Sequence, residues 1–326
     1  MRREGLAKNQ HYVPRFILKR FVERKEQIWV YDKHLNRKFK TNIKNVAAES
    51  GFYDFQIKGH EVTFEISIGK VEGSVSSILK KIINGESLSV ITDDQRLVLA
   101  NFFALQFVRT PQWRHMWDGM HNSLASSLRD RGIDPEDIEG YEEASDENTK
   151  LAHMRQIFDY GEYAPHFYDK IWVLLKTNKN NPFWLSDNPI SLQNMNDFGF
   201  YGNIGLAVKG IEIYFPISNT LCIGMWCRSH EEQFNEMYEK YRHLKQVAPW
   251  MVAKLVDDPN NIESLKAGIE TGRPIPSKQE NVINHNSLQV KYSSRFVFSN
   301  SPDFSLAEQM LEAHPCLREG PKIKVS

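Results

Sequence analysis

Apolar residues recur three or four apart from residue 62 to residue 84, with Phe64, Ile68, Val71, Val75, Ile78, Leu79 and Ile82 forming one stripe. This spacing predicts an amphipathic helix, weakened by Gly69 and Gly73. Thr92-Asp93-Asp94-Gln95 has the pattern of a capping box, and the strongly apolar helix it opens runs to Arg109, before Thr110-Pro111 stops it. Helical spacing returns at 149–160, 164–176 and 279–290. A further helix starts at Ser229, where Glu231 and Glu232 suit the positive end of the dipole, and extends to Val247. Strand character is concentrated elsewhere. Residues 27–31 and 37–41 flank the turn-forming 32–36 and predict a hairpin, and 51–55 is a third aromatic strand. Later strands are predicted at 183–186, 211–215 and 221–226, the last two joined by the turn 216–219, and at 295–298.

Together these elements predict an α+β fold, with helices packed on a modest, mainly antiparallel sheet and a small basic β-rich unit at the N-terminus. There is no regular βαβ alternation, and neither GxGxxG nor GxxxxGK[ST] occurs, which disfavours a doubly wound nucleotide-binding sheet. Residues 130–147 hold nine acids and one Arg, with Gly132, Pro135 and Gly140, and read as an exposed connection. The expected organisation is therefore 1–129, a connection at 130–147, and 148–326, packed as one compact unit.

The 326 residues are 41% apolar, enough for a substantial core, and the formal net charge is zero. A protein neutral overall meets a polyanion only through a local patch. Residues 1–45 supply one, with 13 Lys and Arg against 4 Asp and Glu. Nucleic acid bound through this basic segment is the partner it suggests. The three cysteines form no CxxC pair, which argues against a disulfide framework or a structural zinc site. No apolar run approaches the length of a membrane span, so no membrane partner is expected and the cytoplasm is the default location.

Four ordered motifs carry a resemblance. Asn9-Gln10-His11-Tyr12-Val13-Pro14-Arg15-Phe16, Arg109-Thr110-Pro111, Ser186-Asp187-Asn188-Pro189 and Phe215-Pro216-Ile217-Ser218 resemble the bacterial family catalogued as domain of unknown function 4238, over roughly residues 9 to 299. The resemblance implies no particular activity. It implies that His11, Arg15, Glu49, Glu65, Glu72, Gln106, Arg109, Asp187 and Asn188 stand at the family's motif positions.

The chemistry of these residues admits several roles. His11 titrates near neutrality and can act as general acid or base, while Arg15, Gln106 and Arg109 can hold phosphate or carboxylate oxygens. Asp187 can serve as a base or metal ligand, and Asn188 as a donor to an oxyanion. Glu65 and Glu72 offer oxygen ligands to Mg or Mn, though roughly 10 Å of helix rise separates them. Each has a structural alternative: a hydrogen-bonded anchor for His11, turn chemistry for Asp187 and Asn188, surface acids at 65 and 72, and an internal network around Arg109. The leading expectation is a divalent-metal-dependent phosphodiester-cleaving enzyme, a nuclease of toxin-like or anti-phage type. The alternatives are a non-catalytic binding or sensor module for an anionic partner, in which the motif residues lock the fold, and a small-metabolite hydrolase.

Overall fold

The computed structural model describes residues 9–57, 60–138, 141, 145–196 and 204–321. Parts of the acidic connection, 139–140 and 142–144, lie outside the described residues. The chain begins with β1 (Asn9–His11), α1 (Arg15–Leu18), β2 (Gln27–Asp32), β3 (Arg37–Asn42), β4 (Ala48–Ser50), β5 (Asp54–Ile57) and β6 (His60–Thr63). Helices α2 (Glu65–Gly85), α3 (Asp93–Val108), α4 (Pro111–Asp130), α5 (Asp146–Phe158) and α6 (Ala164–Tyr168) follow. Then come β7 (Ile171–Lys176), β8 (Leu185–Ser186), β9 (Ser191–Gln193), β10 (Glu212–Pro216) and β11 (Leu221–Trp226). The chain closes with α7 (Ser229–Val247), α8 (Pro249–Leu255), α9 (Pro259–Thr271), β12 (Pro274–Pro276), α10 (Gln279–Tyr292), β13 (Phe296–Ser299) and α11 (Ser305–Ala313).

The fold is α+β, and its sheets are mainly antiparallel. A five-stranded sheet has the order β12-β7-β11-β10-β9, with β12 alone parallel to its neighbour. On one face Phe103 of α3 packs its ring against Trp172 and Phe215, with centroids 5.5 and 5.2 Å apart. On the other, Val173, Tyr214 and Cys222 meet Ile275, Val282 and Leu288, with Leu265 and Ile269 of α9 beside them. A second sheet, β3-β2-β13-β8, joins the N-terminal hairpin to strands from the middle and end of the chain. Two small ladders, β1-β4 and β5-β6, complete the strands among the described residues.

Two expectations need correction. Residues 164–176 do not form one helix, because α6 ends at Tyr168 and Ile171–Lys176 is a central strand with four consecutive buried residues. A short apolar run fits a buried helix or a buried strand equally well, and the sheet decides between them. Thr110-Pro111 ends α3 as expected, and Pro111 then occupies the first position of α4, where its missing N–H costs nothing. The expected strand at 51–55 is split. Gly51 takes a left-handed φ of 60° between β4 and β5.

Two buried histidines give the fold an acid sensitivity. His285 lies 4.4 Å from the Tyr214 ring and 5.7 Å from the Phe183 ring, centroid to centroid. His153 places Nε2 2.8 Å from the Val108 carbonyl oxygen. Burial pushes both imidazoles down to about 4. The unfolded chain, with ordinary imidazoles near 6.5, binds more protons between the two values, so stability falls as pH drops through that window. Each residue contributes about 3 kcal/mol to the loss. His285→Phe should therefore lose about 3 kcal/mol less than the wild type between about pH 7 and pH 4, as measured by urea denaturation. Equal losses in the two proteins would refute this assignment.

Candidate functional site

The first motif is divided by strand alternation. In β1, Gln10 pairs with Glu49 and His11 with Ala48 of β4, so Gln10 and Glu49 share one face and His11 takes the other. Gln10 is buried, donates from Nε2 to Asp54 Oδ1 at 2.9 Å, and accepts from the Tyr53 N–H at 2.6 Å. His11 instead places Nε2 3.3 Å from the Ile43 carbonyl oxygen. Burial, followed by the charge of Arg15, lowers its pKa, which the Ile43 contact opposes. Pro14 separates β1 from the single turn of α1, and Arg15 there lies 3.6 Å from Glu26.

A second network surrounds the end of α3. Arg109 is fully buried, and three residues back along the helix Gln106 accepts from its Nε and Nη2 at 3.0 and 2.7 Å. Nη1 donates to Glu72 Oε1 at 2.8 Å, and the guanidinium lies 5.5 Å from the Phe102 ring centroid. The amide of Gln106 donates to the Tyr12 carbonyl at 3.0 Å, and the Tyr53 hydroxyl donates to the His11 carbonyl at 3.0 Å. Glu65 borders this network. Burial raises its carboxyl, as do the charges of Glu72 and Asp54, against the pull of Arg109. Among the described residues, no three His, Cys, Asp or Glu side chains converge so that they could hold a metal ion. An ion shared by Glu65 and Glu72 has to compete with Arg109.

The third network forms where β8 ends. Asp187 is buried, and its carboxylate accepts from the backbone N–H groups of Ser294, Arg295 and Phe296, each at 2.8 Å. Burial raises its pKa, opposed by these donors and by Lys33. Lys33 is itself buried, bonds the carbonyls of Val290 and Ser293 at 2.9 and 2.7 Å, and is pushed by burial down to about 8. Asn188 donates to the Tyr292 carbonyl at 3.0 Å and accepts from the Thr110 hydroxyl at 3.1 Å. Asp187 and Asn188 together clamp the link between α10 and β13 to the start of α4.

The structure thus brings Gln106, Arg109, Glu72 and Glu65 together, and separately Asp187 with Asn188, while His11 lies on the other face of β1 and Arg15 on α1 beside Glu26. Tyr12 connects the networks. Its carbonyl meets Gln106, and its phenol, nearly buried, feels the charges of Asp187, Glu49 and Arg114. Arg114 also binds Glu49, at 3.1 Å. Gln10, Tyr12, Lys33, Thr110 and Arg114 were missed as participants. Alternation along β1 is the signal that places Gln10 inward; Lys33, inside turn-forming sequence, carries none.

A different surface collects the cations. Residues 15–44 present nine Lys and Arg outside the core against Glu23 and Glu26, since Lys33 and Asp32 are buried. Lys40 pairs with Glu23, which also feels Arg24, and Lys19, Arg15 and Lys44 surround Glu26. Arg24, Lys25 and Lys44 are exposed. The turn Arg24–Gln27 places Lys25 and Glu26 at left-handed φ values of 49° and 58°, a conformation costly for residues with a Cβ. The β3 edge adds Arg37, Lys38 and Lys40; edge strands use such charges to discourage pairing with another chain.

The family model described as Protein of unknown function (DUF4238) matches residues 9–303, and the chain belongs to that family. No curated protein and no solved structure matches the chain.

Proposed function

We propose that this member of the DUF4238 family is a binding module for nucleic acid, which docks on the basic face built by α1, the 24–27 turn and the β3 edge. The observation that carries the reading is that residues 15–44 present nine cations outside the core, against Glu23, Glu26 and the Glu308 that pairs with Lys38, in a chain whose remainder is net negative. Lys and Arg that neutralise phosphates release counterions, which favours association and makes it salt-dependent. The motif residues have a separate task in this reading. Gln106, Arg109, Asp187 and Asn188 spend their polar groups on internal partners, and the basic elements rest on the scaffold these contacts hold. The same occupancy weighs against phosphodiester cleavage, because Glu72 is engaged by Arg109 and Asp187 by three backbone donors.

Fluorescence anisotropy with labelled duplex DNA and single-stranded RNA tests the reading. Engagement of about four phosphates gives a log–log salt slope of roughly −3 to −4, and R24E/K25E/K44E should weaken binding about 10-fold or more and flatten that slope. Unchanged affinity in the triple variant would overturn it. Cleavage of either probe with Mg or Mn, lost in His11→Ala and Asp187→Asn, would replace a binding role with a catalytic one.

A further inference from the structure

The register of the five-stranded sheet aligns Gln193, Glu212, Trp226 and Ile171 as one row across β9, β10, β11 and β7. Directly opposite residues in antiparallel pairs project from the same face, so this row forms a floor. Helix α7 starts three residues after β11 and lays His230, Phe234 and Met237 over the row, while α9 closes the side with Leu265 and Ile269. The space between is a cavity of about 250 Å³.

Its polar groups are few and fixed. Glu212 Oε2 accepts from the Tyr214 hydroxyl at 2.6 Å and from Gln193 Nε2 at 2.5 Å. The Gln193 amide is oriented in turn by Asn284, which donates to its Oε1 at 2.8 Å. Glu212 Oε1 is different. His230 Nε2 lies 3.7 Å from it, beyond hydrogen-bond reach, and bonds the Gly210 carbonyl at 3.0 Å instead. No hydrogen bond to Oε1 forms among the described residues, and this oxygen opens onto the cavity. A carboxylate oxygen that opens onto a largely apolar cavity and has no protein donor is available to a ligand that brings one.

We propose that this cavity binds a small organic amine, with its ammonium on Glu212 Oε1 and against the Trp226 ring and its apolar body against Phe234, Leu265 and Ile269. A carboxylate beside an aromatic ring is chemistry that selects a cation, since Coulomb attraction and, over the ring face, the ring quadrupole act in the same direction, and Glu212 and Trp226 are direct cross-strand neighbours. Glu231, which also lines this cavity, is paired with Arg228 at 3.9 Å, so Glu212 is the carboxylate that sets the charge preference. The volume suits a compact apolar group rather than a nucleotide. This site is remote in sequence from the basic face and does not rest on the nucleic-acid reading.

Isothermal titration calorimetry of the full chain with 2-phenylethylamine, 2-phenylethanol and 3-phenylpropionate tests it. The amine should bind with a Kd of about 1 mM or tighter, given its size. The alcohol should bind about 10-fold more weakly, and the anion should give no heat of binding. Glu212→Gln, which preserves shape and an acceptor for Tyr214, should lower amine affinity about 10-fold and close the gap between amine and alcohol. Leu265→Trp, which fills the cavity, should abolish binding of both. The comparison of amine with alcohol on wild-type protein needs no variant to fold. Absence of amine binding at about 10 mM, equal affinity for amine and alcohol, or unaltered binding in both variants would each overturn the proposal.

Discussion

Asp187→Ala should destabilise the folded protein by about 5 kcal/mol, the largest effect expected from a single site. The substitution removes the acceptor for the N–H groups of Ser294, Arg295 and Phe296, all at 2.8 Å, where hydrogen bonds to a charged group contribute about 1.5–3 kcal/mol each. It also leaves Lys33 buried without the negative charge that raises its pKa. Asp187→Asn, which keeps one acceptor oxygen, should cost less, about 3 kcal/mol. Guanidinium titrations of the three proteins, with fitted midpoints and slopes, give the comparison. A loss below about 1 kcal/mol for Asp187→Ala would mean that the carboxylate does not lock the α10–β13 link and is available for chemistry.

Arg109→Ala should cost about 4 kcal/mol, because it deletes the ion pair with Glu72, strips Gln106 of two donors and opens space beside Phe102. Glu72→Ala leaves a fully buried guanidinium without its counter-charge, and about 3 kcal/mol is expected. The two losses should not add. A double-mutant cycle should return a coupling of about 2 kcal/mol, reported by denaturant midpoints. Additive losses would show that the 2.8 Å contact contributes nothing to stability. Arg109→Met, which fills the space without a charge, should cost less than Arg109→Ala, because replacing both the charge and its desolvation penalty by an apolar side chain is often close to neutral.

These networks and the two proposed surfaces separate what holds the chain together from what faces a partner. The motif residues lie at the crossings of β1, α3, β8 and the α10–β13 link. The cations lie on α1, the strained 24–27 turn and β3, and the proposed amine cavity lies between the five-stranded sheet and helices α7 and α9. If Arg109 and Asp187 act only in stability, conservative variants at these positions should weaken nucleic-acid binding only in so far as they unfold the protein.

The amino-acid sequence by itself determined the α+β class, the hairpin of β2 and β3, the capping box that opens α3 and the extent of α7, because these follow from local periodicity and end chemistry. It also marked Gln106 and Arg109 as polar residues in an apolar helix, hence in need of partners. Which partners they take was decided by the tertiary structure, since Glu72 and Tyr12 reach Arg109 and Gln106 only through packing of α2 and the end of β1 against α3. The same holds for 171–176, which a sheet turned into a strand, and for Lys33, a turn residue to its sequence and a buried cation in the fold. Local rules fix period and caps within a few residues, whereas burial and charge pairing depend on segments as distant as Lys33 and Ser293.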